Sequence, residues 1–169
     1  AFEVCYPLSS ITIPNSVTTI GDSAFYNCSG MTSLTIGNSV AWIGQMAFST
    51  CPNLEDIVVD AGNTKYDSRN DCNAIIETAT NKLIYGCKNT VIPNTVNNIE
   101  NFAFYMCLRL KSITIPNSVT RIGGYAFFDC HDLDTIISYA IEPATIYQNT
   151  FEYDDLSIPL IVPCGSASA

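Results

Sequence analysis

The stretch that decides the fold is Ala24-Phe25-Tyr26-Asn27-Cys28, because its Ala-Phe-x-x-Cys pattern returns along most of the chain. The copies are Ala1/Phe2/Cys5, Ala24/Phe25/Cys28, Ala47/Phe48/Cys51, Ala103/Phe104/Cys107 and Ala126/Phe127/Cys130. Successive copies are 23, 23, 56 and 23 residues apart. A fixed period of this size is typical of a solenoid, in which each coil buries its apolar side chains only by stacking on its neighbours.

A second pattern lies between these copies and predicts a short strand in each coil. Residues 8–21 read Leu-x-x-Ile-x-Ile-Pro-Asn-Ser-Val-x-x-Ile-Gly, and close variants begin at Met31 and Leu110. The Ile-x-Ile alternation favours a strand, and the following proline ends it because proline cannot donate to a β-ladder. Six strands are predicted, to end near Ile13, Ile36, Val59, Ile92, Ile115 and Ser138. We expect them to pair in parallel, about 4.8 Å apart.

The remaining parts of each coil are shorter. Val-x-x-Ile predicts a second extended or turning segment. Ala-Phe-x-x-Cys is too short for an α-helix and predicts one helical or 3₁₀ turn that directs Phe and Cys inward.

The 56-residue interval between the Ala47 and Ala103 copies departs from the 23-residue period. We interpret residues 60–88 as an insertion that replaces half a coil. The coil before it keeps its strand at residues 54–59 but lacks both later segments. In the insertion, the polar, turn-rich stretch 60–71 precedes two apolar segments, 74–77 and 82–86. These two segments flank a short turn and predict a β-hairpin.

The two ends of the sequence differ from the middle. Residues 138–169 are interpreted as a degenerate coil and tail, in which residues 157–165 predict one edge strand bounded by prolines. Because Ala1 already belongs to the repeated pattern, we expect the 169 residues to form a single repeat domain that is a fragment of a longer chain.

Composition excludes several classes of protein. The chain is 47% hydrophobic, which excludes disorder, and its 7 basic and 16 acidic residues give a net charge of −9. An acidic surface repels phosphate backbones and anionic bilayers, so we expect neither nucleic-acid nor membrane-surface binding. Apolar runs stay short of the roughly 18 residues of a membrane span, so we expect no membrane insertion.

The 8 cysteines and the single histidine are interpreted as structural. The five cysteines of the repeated pattern share one phase and are expected to be buried free thiols, which behave as small apolar groups. Zinc is disfavoured because Cys-x-x-Cys is absent and there is one His, His131. Cys72 and Cys87 flank the predicted hairpin; a bridge between them stays open, with free thiols favoured.

Two further groups contain residues of the catalytic or metal-binding type. His131 follows Cys130, but neighbouring side chains in a turn point apart, so we expect an exposed histidine and no thiol-imidazole pair. Five carboxylates, Glu55, Asp56, Asp60, Asp67 and Asp71, surround the start of the insertion. Their spacing matches no calcium loop, so they are interpreted as a solvated acidic face, with no metal and no cofactor expected.

Exposed aromatic and hydroxyl side chains are the candidates for partner binding. Trp42 occupies a Val-x-x-Ile position where other coils carry polar residues, and is expected to face water. Residues that follow the repeated Phe form a second candidate stripe: Tyr26, Tyr105 and Phe128. They are anchors for a partner, or they cover seams between coils. Hydroxyl-rich strand positions form a flat candidate face, represented by Thr12, Thr35 and Thr114.

The full pattern, Leu-x-x-Ile-x-Ile-Pro-x-x-Val-x-x-Ile-Gly-x-x-Ala-Phe-x-x-Cys, resembles the leucine-rich repeat of the BspA-like, or Treponema-type, class of bacterial surface proteins. The resemblance covers about residues 1–151. It implies an α/β-type right-handed solenoid of about 23 residues per coil, with short parallel strands and short helical or 3₁₀ turns. It also implies an exported or cell-surface location and a role in adhesion, with no catalytic residues.

Two functions follow as hypotheses. The first is a non-catalytic module that binds a protein of the host, such as an extracellular-matrix or surface protein, or of a neighbouring cell; a glycan partner is a variant of it. The second is a passive spacer that holds another domain away from the cell surface.

Overall fold

The computed structural model describes residues 2–154, 157 and 159–162, and in this part the chain is built from short strands with one 3₁₀ turn at Arg69–Asp71. The strands are β1 (Ser10–Ile13), β2 (Thr19–Ile20), β3 (Ser33–Ile36), β4 (Trp42–Ile43), β5 (Asp56–Val59), β6 (Tyr66–Asp67), β7 (Ala74–Glu77), β8 (Lys82–Gly86), β9 (Asn98–Ile99), β10 (Ser112–Ile115), β11 (Arg121–Ile122), β12 (Thr135–Ser138) and β13 (Leu160–Ile161).

The predicted parallel pairing of successive coils is confirmed. Ile36 in β3 stands opposite Ile13 in β1 on one side and Val59 in β5 on the other, each 23 residues away. A second sheet of the same kind has the order β10-β12-β13. The inward residues of β3, β5 and β10 are buried, whereas in β1 Ile13 is buried and Ile11 half-buried; the residues between them point away from the core. The fold is therefore a β-solenoid with one coil per repeat.

Val-x-x-Ile forms a second row of parallel pairs. Ile20 in β2 pairs with Ile43 in β4, and Ile99 in β9 pairs with Ile122 in β11. All four isoleucine side chains are buried. Each regular coil thus sends apolar groups inward from two extended segments.

The predicted helical or 3₁₀ turn at Ala-Phe-x-x-Cys is not formed, and β-turns take its place. Ser23 and Asn27, which flank Ala24–Tyr26, have φ angles of 52° and 57°. A left-handed residue stops a right-handed helix from propagating. The Phe25 N–H instead donates to the Ala47 carbonyl of the next coil at 2.8 Å. The turns therefore stack as a ladder, and the helical part of the predicted α/β class is absent from the described repeats.

The interior holds stacked aromatic rings, as the shared phase of the Phe residues predicts. Ring centroids are 5.3 Å apart between Phe25 and Phe48, and 5.0 Å apart between Phe104 and Phe127. Cysteines lie beside these rings: the Cys51 Sγ donates to the carbonyl of Phe25 at 3.3 Å. The repeated cysteine thus packs as a small apolar group and satisfies a buried carbonyl of the preceding coil.

The insertion brings a hairpin into the second row of strands. β7 and β8 pair antiparallel, and Leu83 of β8 pairs in parallel with Ile99 of β9. The backbone of Gly86 lies against the ring of Phe104, where a Cβ would come within 2.1 Å of the ring Cε1. Only glycine fits there, because the ring is held in its stack. The limits 60–88 of the insertion and 138–169 of the last coil stay predictions.

The strand predicted near Ile92 is wrong. Residues 90–93 are not a strand, although the side chain of Ile92 is buried. The Val91 N–H donates to the carbonyl of Cys72, which lies outside any strand, at 3.0 Å. The coil next to it is the insertion, so an extended neighbour is missing. The single row of six strands is therefore replaced by two separate three-stranded sheets, β1-β3-β5 and β10-β12-β13.

The C-terminal coil keeps the solenoid spacing less regularly. β13 pairs in parallel with β12, so that Leu160 stands opposite Ile136. The predicted edge strand at 157–165 is thus described at Leu160–Ile161, and its part at 163–165 lies outside the described residues. No helix in the described ranges has the length and apolar character needed to cross a bilayer.

Candidate functional site

The cysteines and the histidine do not form a reactive pair. The Cys130 Sγ donates to the Phe104 carbonyl at 3.2 Å, and burial raises the pKa of this thiol well above its usual value. The exposed His131 ring turns to the other side, with Nδ1 3.0 Å from the Asp129 carboxylate. Because the thiolate is the nucleophile, a buried Cys130 has no catalytic use.

Cys72 and Cys87, whose bridging the sequence left open, are both free thiols. The Cys87 Sγ donates to the Glu55 carbonyl at 3.1 Å, and burial raises the pKa of Cys87 to about 11. Burial likewise raises the pKa of Cys51 and Cys107, each to about 12. All cysteines in the described ranges are free.

The carboxylates near the insertion are partly engaged in ion pairs rather than fully solvated. Asp67 pairs with Arg69 at 2.5 Å, and Glu55 pairs with Lys88 at 2.6 Å. Burial opposes the ionisation of Asp67, but hydrogen bonds from Arg69 and Thr78 outweigh it and hold its pKa below the usual value. In the part of the chain that the structure describes, no three His, Cys, Asp or Glu residues converge as metal ligands would.

A groove of about 500 Å³ opens beside Trp42, whose side chain is 48% exposed. We call it the Trp42 groove. One wall is β4 with the turn that follows it, and the other is formed by the insertion and the coil after it. Its polar lining includes Gln45, Lys65, Glu77, Lys82 and Glu100.

Charges in the Trp42 groove are paired with one another. Lys65 Nζ lies 2.6 Å from Glu77 Oε1, and Lys82 Nζ lies 3.1 Å from Glu100 Oε1. The hydrogen bond with Glu77 raises the pKa of Lys65, and the same bond lowers the pKa of Glu77. Asp22 also lines the groove and accepts a hydrogen bond from the Gln45 backbone N–H at 2.7 Å. The walls are therefore polar and close to neutral.

The floor of the groove consists of two buried tyrosines from the insertion. The Tyr85 hydroxyl accepts from the Ala47 N–H at 2.8 Å and donates to the Gly44 carbonyl at 2.7 Å. Burial raises the pKa of Tyr66, while a hydrogen bond with the Ile43 backbone partly offsets this. Both hydroxyls thus satisfy backbone groups in or beside β4, at the edge where a strand of the next coil would pair in a regular solenoid.

A second surface presents aromatic rings on the turns of the later coils. We call it the aromatic turn face and define it by Phe102, Tyr105, Tyr125, Phe128 and Tyr153. Tyr105 stacks on Phe128 with centroids 4.7 Å apart, and Phe102 stacks on Tyr125 at 5.3 Å. Tyr153 is 71% exposed and meets Phe128 edge-on at 5.1 Å.

The predicted stripe of Tyr26, Tyr105 and Phe128 is half-buried rather than open. The stack of Tyr105 on Phe128 covers the seam between two coils, which was the alternative reading. Burial raises the pKa of Tyr105, with a smaller contribution from the hydroxyl of Tyr26 in an earlier coil. Sequence reasoning missed Phe102, Tyr125 and Tyr153, because their positions in the turns lack a shared residue type.

The hydroxyl-bearing strand positions do not form one continuous surface. Thr12 is exposed and Thr35, its neighbour in the sheet, is half-buried. Val58, the next residue in this row, is exposed and apolar. Thr114 is exposed but belongs to the other three-stranded sheet, where it faces Ile137. The two parts are separated because the coil that contains Ile92 forms no strand there.

These features define a class of protein: a repeat solenoid with stacked interior ladders, whose candidate sites are an open groove and surface patches. A family model described as the BspA type leucine rich repeat region matches residues 1–84 and 81–160, with 6 copies. The chain belongs to this family. Comparison with curated proteins gave no match.

Two solved structures share the fold. A leucine rich cell surface protein from Faecalibacterium prausnitzii is 24% identical, with a TM-score of 0.58, over 89% of this chain and 52% of that one. The pneumococcal vaccine antigen PcpA is 21% identical, with a TM-score of 0.57, over 79% of this chain and 41% of that one. At these identities the similarity shows the fold alone. The chain spans about half the length of the F. prausnitzii protein.

Proposed function

We propose that this chain is a non-catalytic binding module of a bacterial cell-surface or secreted protein, and that it holds a protein partner from a host or neighbouring cell on the aromatic turn face. Membership of the BspA-type repeat family supports a binding role. A structural relative described as a cell surface protein supports the location.

The observation that carries this proposal is the stacking of half-buried rings beside Tyr153, which is itself 71% exposed. Aromatic residues, tyrosine among them, are enriched where protein interfaces gain most of their free energy. Rings that already stack, such as Tyr105 on Phe128, lose little rotamer freedom when a partner arrives. The backbone below is fixed as well, because the Met106 N–H donates to the Phe128 carbonyl at 2.8 Å.

Charge at the edge of this face favours a partner with basic groups. Asp129 lies close enough to Tyr105 to contribute to its raised pKa, after burial and Tyr26. Glu152 is exposed and lines a shallow depression beside Tyr153. A negative rim around an aromatic centre steers a basic partner and makes its association rate fall with added salt.

Binding of the 169-residue chain to a panel of purified extracellular-matrix proteins, measured by surface plasmon resonance, tests the proposal. We expect Tyr153→Ser to weaken binding by about ten-fold or more, as for an interface anchor. Tyr139→Ser is the matched control, because Tyr139 is 57% exposed and lies outside the face. Absence of binding to every panel member at about 10 μM contradicts the proposal, as does equal binding by the two variants.

A passive spacer is the second candidate, and the burial of the stacked rings favours it. Rings that cover seams between coils stabilise the solenoid without any partner. In that case Tyr153→Ser leaves adhesion by cells that carry the full-length protein unchanged.

A further inference from the structure

The Trp42 groove exists because the repeat is interrupted. In an unbroken solenoid the strand of the next coil pairs with β4, as β4 itself pairs with β2. The third coil lacks that strand, and β8 joins β9 instead of β4. A gap is left between β4 and the hairpin, and Trp42 stands at its edge. The groove is thus a local product of the insertion and is separate from the aromatic turn face.

We infer that the Trp42 groove binds an uncharged oligosaccharide of two or three sugar rings, with one ring stacked on the indole of Trp42. The indole is half exposed at a row position where the other coils carry Thr19, Asn98 and Arg121. The face of an aromatic ring is electronegative and apolar, which suits the C–H face of a pyranose. A volume of about 500 Å³ is within the range of small-molecule sites, about 300–1,000 Å³.

Polar groups around the indole suit the hydroxyl groups of a sugar. The side-chain amide of Gln45 has no hydrogen-bond partner within the described ranges, and it offers both donors and an acceptor. Asn101 uses its Oδ1 to accept from the Gly124 N–H at 2.9 Å, which leaves its amide N–H groups for a ligand. The Glu77 carboxylate also accepts from Thr80, and the Glu100 carboxylate from Asn98, and each keeps acceptor sites beyond these bonds and its lysine bond.

The charge pattern disfavours an anionic ligand. Lys65 and Lys82 are the lysines of the groove, and each is already paired with a glutamate. Asp22 adds a negative charge that these pairs do not balance. A phosphate, sulfate or sialic acid would have to displace a glutamate from a lysine, whereas an uncharged sugar leaves both ion pairs intact.

An extended peptide fits this groove less well than a sugar. A peptide would bind by adding a strand to the free edge of β4. That edge is two residues long, and Tyr85 already donates its hydroxyl proton to the Gly44 carbonyl beside it. The Gly44 carbonyl that would extend this short edge is thus already engaged by the protein.

The single tryptophan of the chain makes this inference directly measurable. Excitation at the red edge of the absorption band, where tyrosine does not absorb, reports on Trp42 alone. The test is a titration of the 169-residue chain with four uncharged sugars: maltotriose, cellotriose, chitotriose and N-acetyllactosamine. Sialyllactose and an uncharged hexapeptide serve as the anionic and peptide comparators. We expect a saturable change in emission with at least one uncharged sugar, at a Kd of about 1 mM or below.

Variants separate the groove from the rest of the surface. Gln45→Ala keeps the fluorescent reporter and is expected to weaken sugar binding about three- to ten-fold, as for the loss of one hydrogen bond. Tyr139→Ser, which lies outside both the groove and the aromatic turn face, is the matched control and is expected to leave the Kd unchanged. Trp42→Phe, followed by isothermal titration calorimetry, is expected to weaken binding because the stacking surface is smaller, with circular dichroism as the check on folding.

Three results overturn the inference. The first is an emission that stays constant with every uncharged sugar up to about 10 mM. The second is tighter binding of sialyllactose or of the hexapeptide than of any uncharged sugar. The third is a Gln45→Ala variant that binds as the unchanged chain does. None of them bears on the aromatic turn face, whose partner is tested with a different variant and ligand.

Discussion

The regular coils and the interruption solve the same packing problem in different ways. In the regular part, Phe25 stacks on Phe48 with parallel rings, and its N–H bonds to the Ala47 carbonyl of the next coil. At the interruption, Phe48 meets Tyr85 edge-on at 5.7 Å, and the Ala47 N–H bonds to the Tyr85 hydroxyl. In the regular part, the ring contact and the backbone hydrogen bond come from repeated residues. At the interruption, Tyr85 supplies both.

The comparison shows that each coil needs a neighbouring side chain of the right shape and polarity. This side chain need not belong to the repeated sequence pattern. Tyr85 fills the place of a phenylalanine ring and also satisfies two buried backbone groups, the Ala47 N–H and the Gly44 carbonyl. Tyr85 thus completes the first of the two clusters of buried apolar residues. The difference reaches the surface, where the missing strand leaves the Trp42 groove.

In the last coil, too, side chains accept hydrogen bonds from the backbone. The Cys130 N–H donates to the side chain of Asp154 at 2.6 Å. Nearby, the Tyr147 N–H donates to the hydroxyl of Thr150 at 3.0 Å. In both places a side chain accepts a backbone hydrogen bond where the coil departs from the repeat.

The largest expected effect comes from removing a ring of the regular ladder. Phe127 is fully buried between Phe104 and Phe151, with centroids 5.0 and 5.2 Å away. Phe127→Ala is expected to lower the free energy of unfolding by about 3–5 kcal/mol, measured by urea denaturation. Phe2→Ala, at the 52% exposed end of the other ladder, is the control and should cost less than about 1 kcal/mol. Equal losses would mean that the ladder is not the core.

An intermediate effect is expected at the interruption. Tyr85→Phe keeps the ring and removes the hydroxyl, which leaves the Ala47 N–H and the Gly44 carbonyl only the long contact of 3.4 Å between themselves. We expect a loss of about 1–3 kcal/mol in urea denaturation. Tyr139→Phe, at an exposed position, should change stability by less than about 0.5 kcal/mol. A Tyr85→Phe variant as stable as this control would contradict the claim that the Tyr85 hydroxyl replaces the backbone contacts of a regular coil.

The smallest effect concerns pH at the last coil. Burial raises the pKa of Asp154 from 3.8 to about 6, although the hydrogen bond from Cys130 opposes it. Between these values the folded chain binds more protons than the unfolded one, so the free energy of unfolding falls as pH rises from about 4 to 6. Because the group is only half-buried, solvent screening reduces the fall to about 1 kcal/mol.

Asp154→Asn tests this effect, because the amide oxygen still accepts from Cys130 but does not titrate. The difference in unfolding free energy between the two proteins is measured at pH 4, 5 and 6. We expect the contribution of Asp154 to decline across this window and to be absent from the variant. A difference that stays constant with pH argues against a raised pKa.

Sequence reasoning was most successful where the residue type itself dictates the structure. The Ile-x-Ile alternation predicted β1 and β3 together with their register, and the shared phase of Phe25 and Cys28 placed both inside. The turns were mispredicted because left-handed residues such as Met46 and Thr50 carry no signal for that conformation. The turns are joined by hydrogen bonds between coils, such as that from the Ser23 N–H to the Gln45 carbonyl at 3.0 Å, which a single sequence does not reveal.

The candidate sites were predictable only in part. Trp42 stood out because it replaces polar residues at one repeat position. Its neighbours in the groove, among them Lys65 and Glu100, come from segments far apart in the sequence, and only the fold brings them together. Residues 91–92 keep the strand pattern without forming a strand, because a strand also needs a neighbour to pair with.

A double-mutant cycle on Phe104 and Phe127 tests most directly whether like side chains one period apart stabilise each other. The free energy of unfolding is measured for the unchanged chain, for Phe104→Leu, for Phe127→Leu and for the double variant. Stacking at 5.0 Å predicts a coupling energy of about 0.5–1.5 kcal/mol between the two rings. Losses that add to within about 0.3 kcal/mol would contradict the stacked ladder on which the whole account depends.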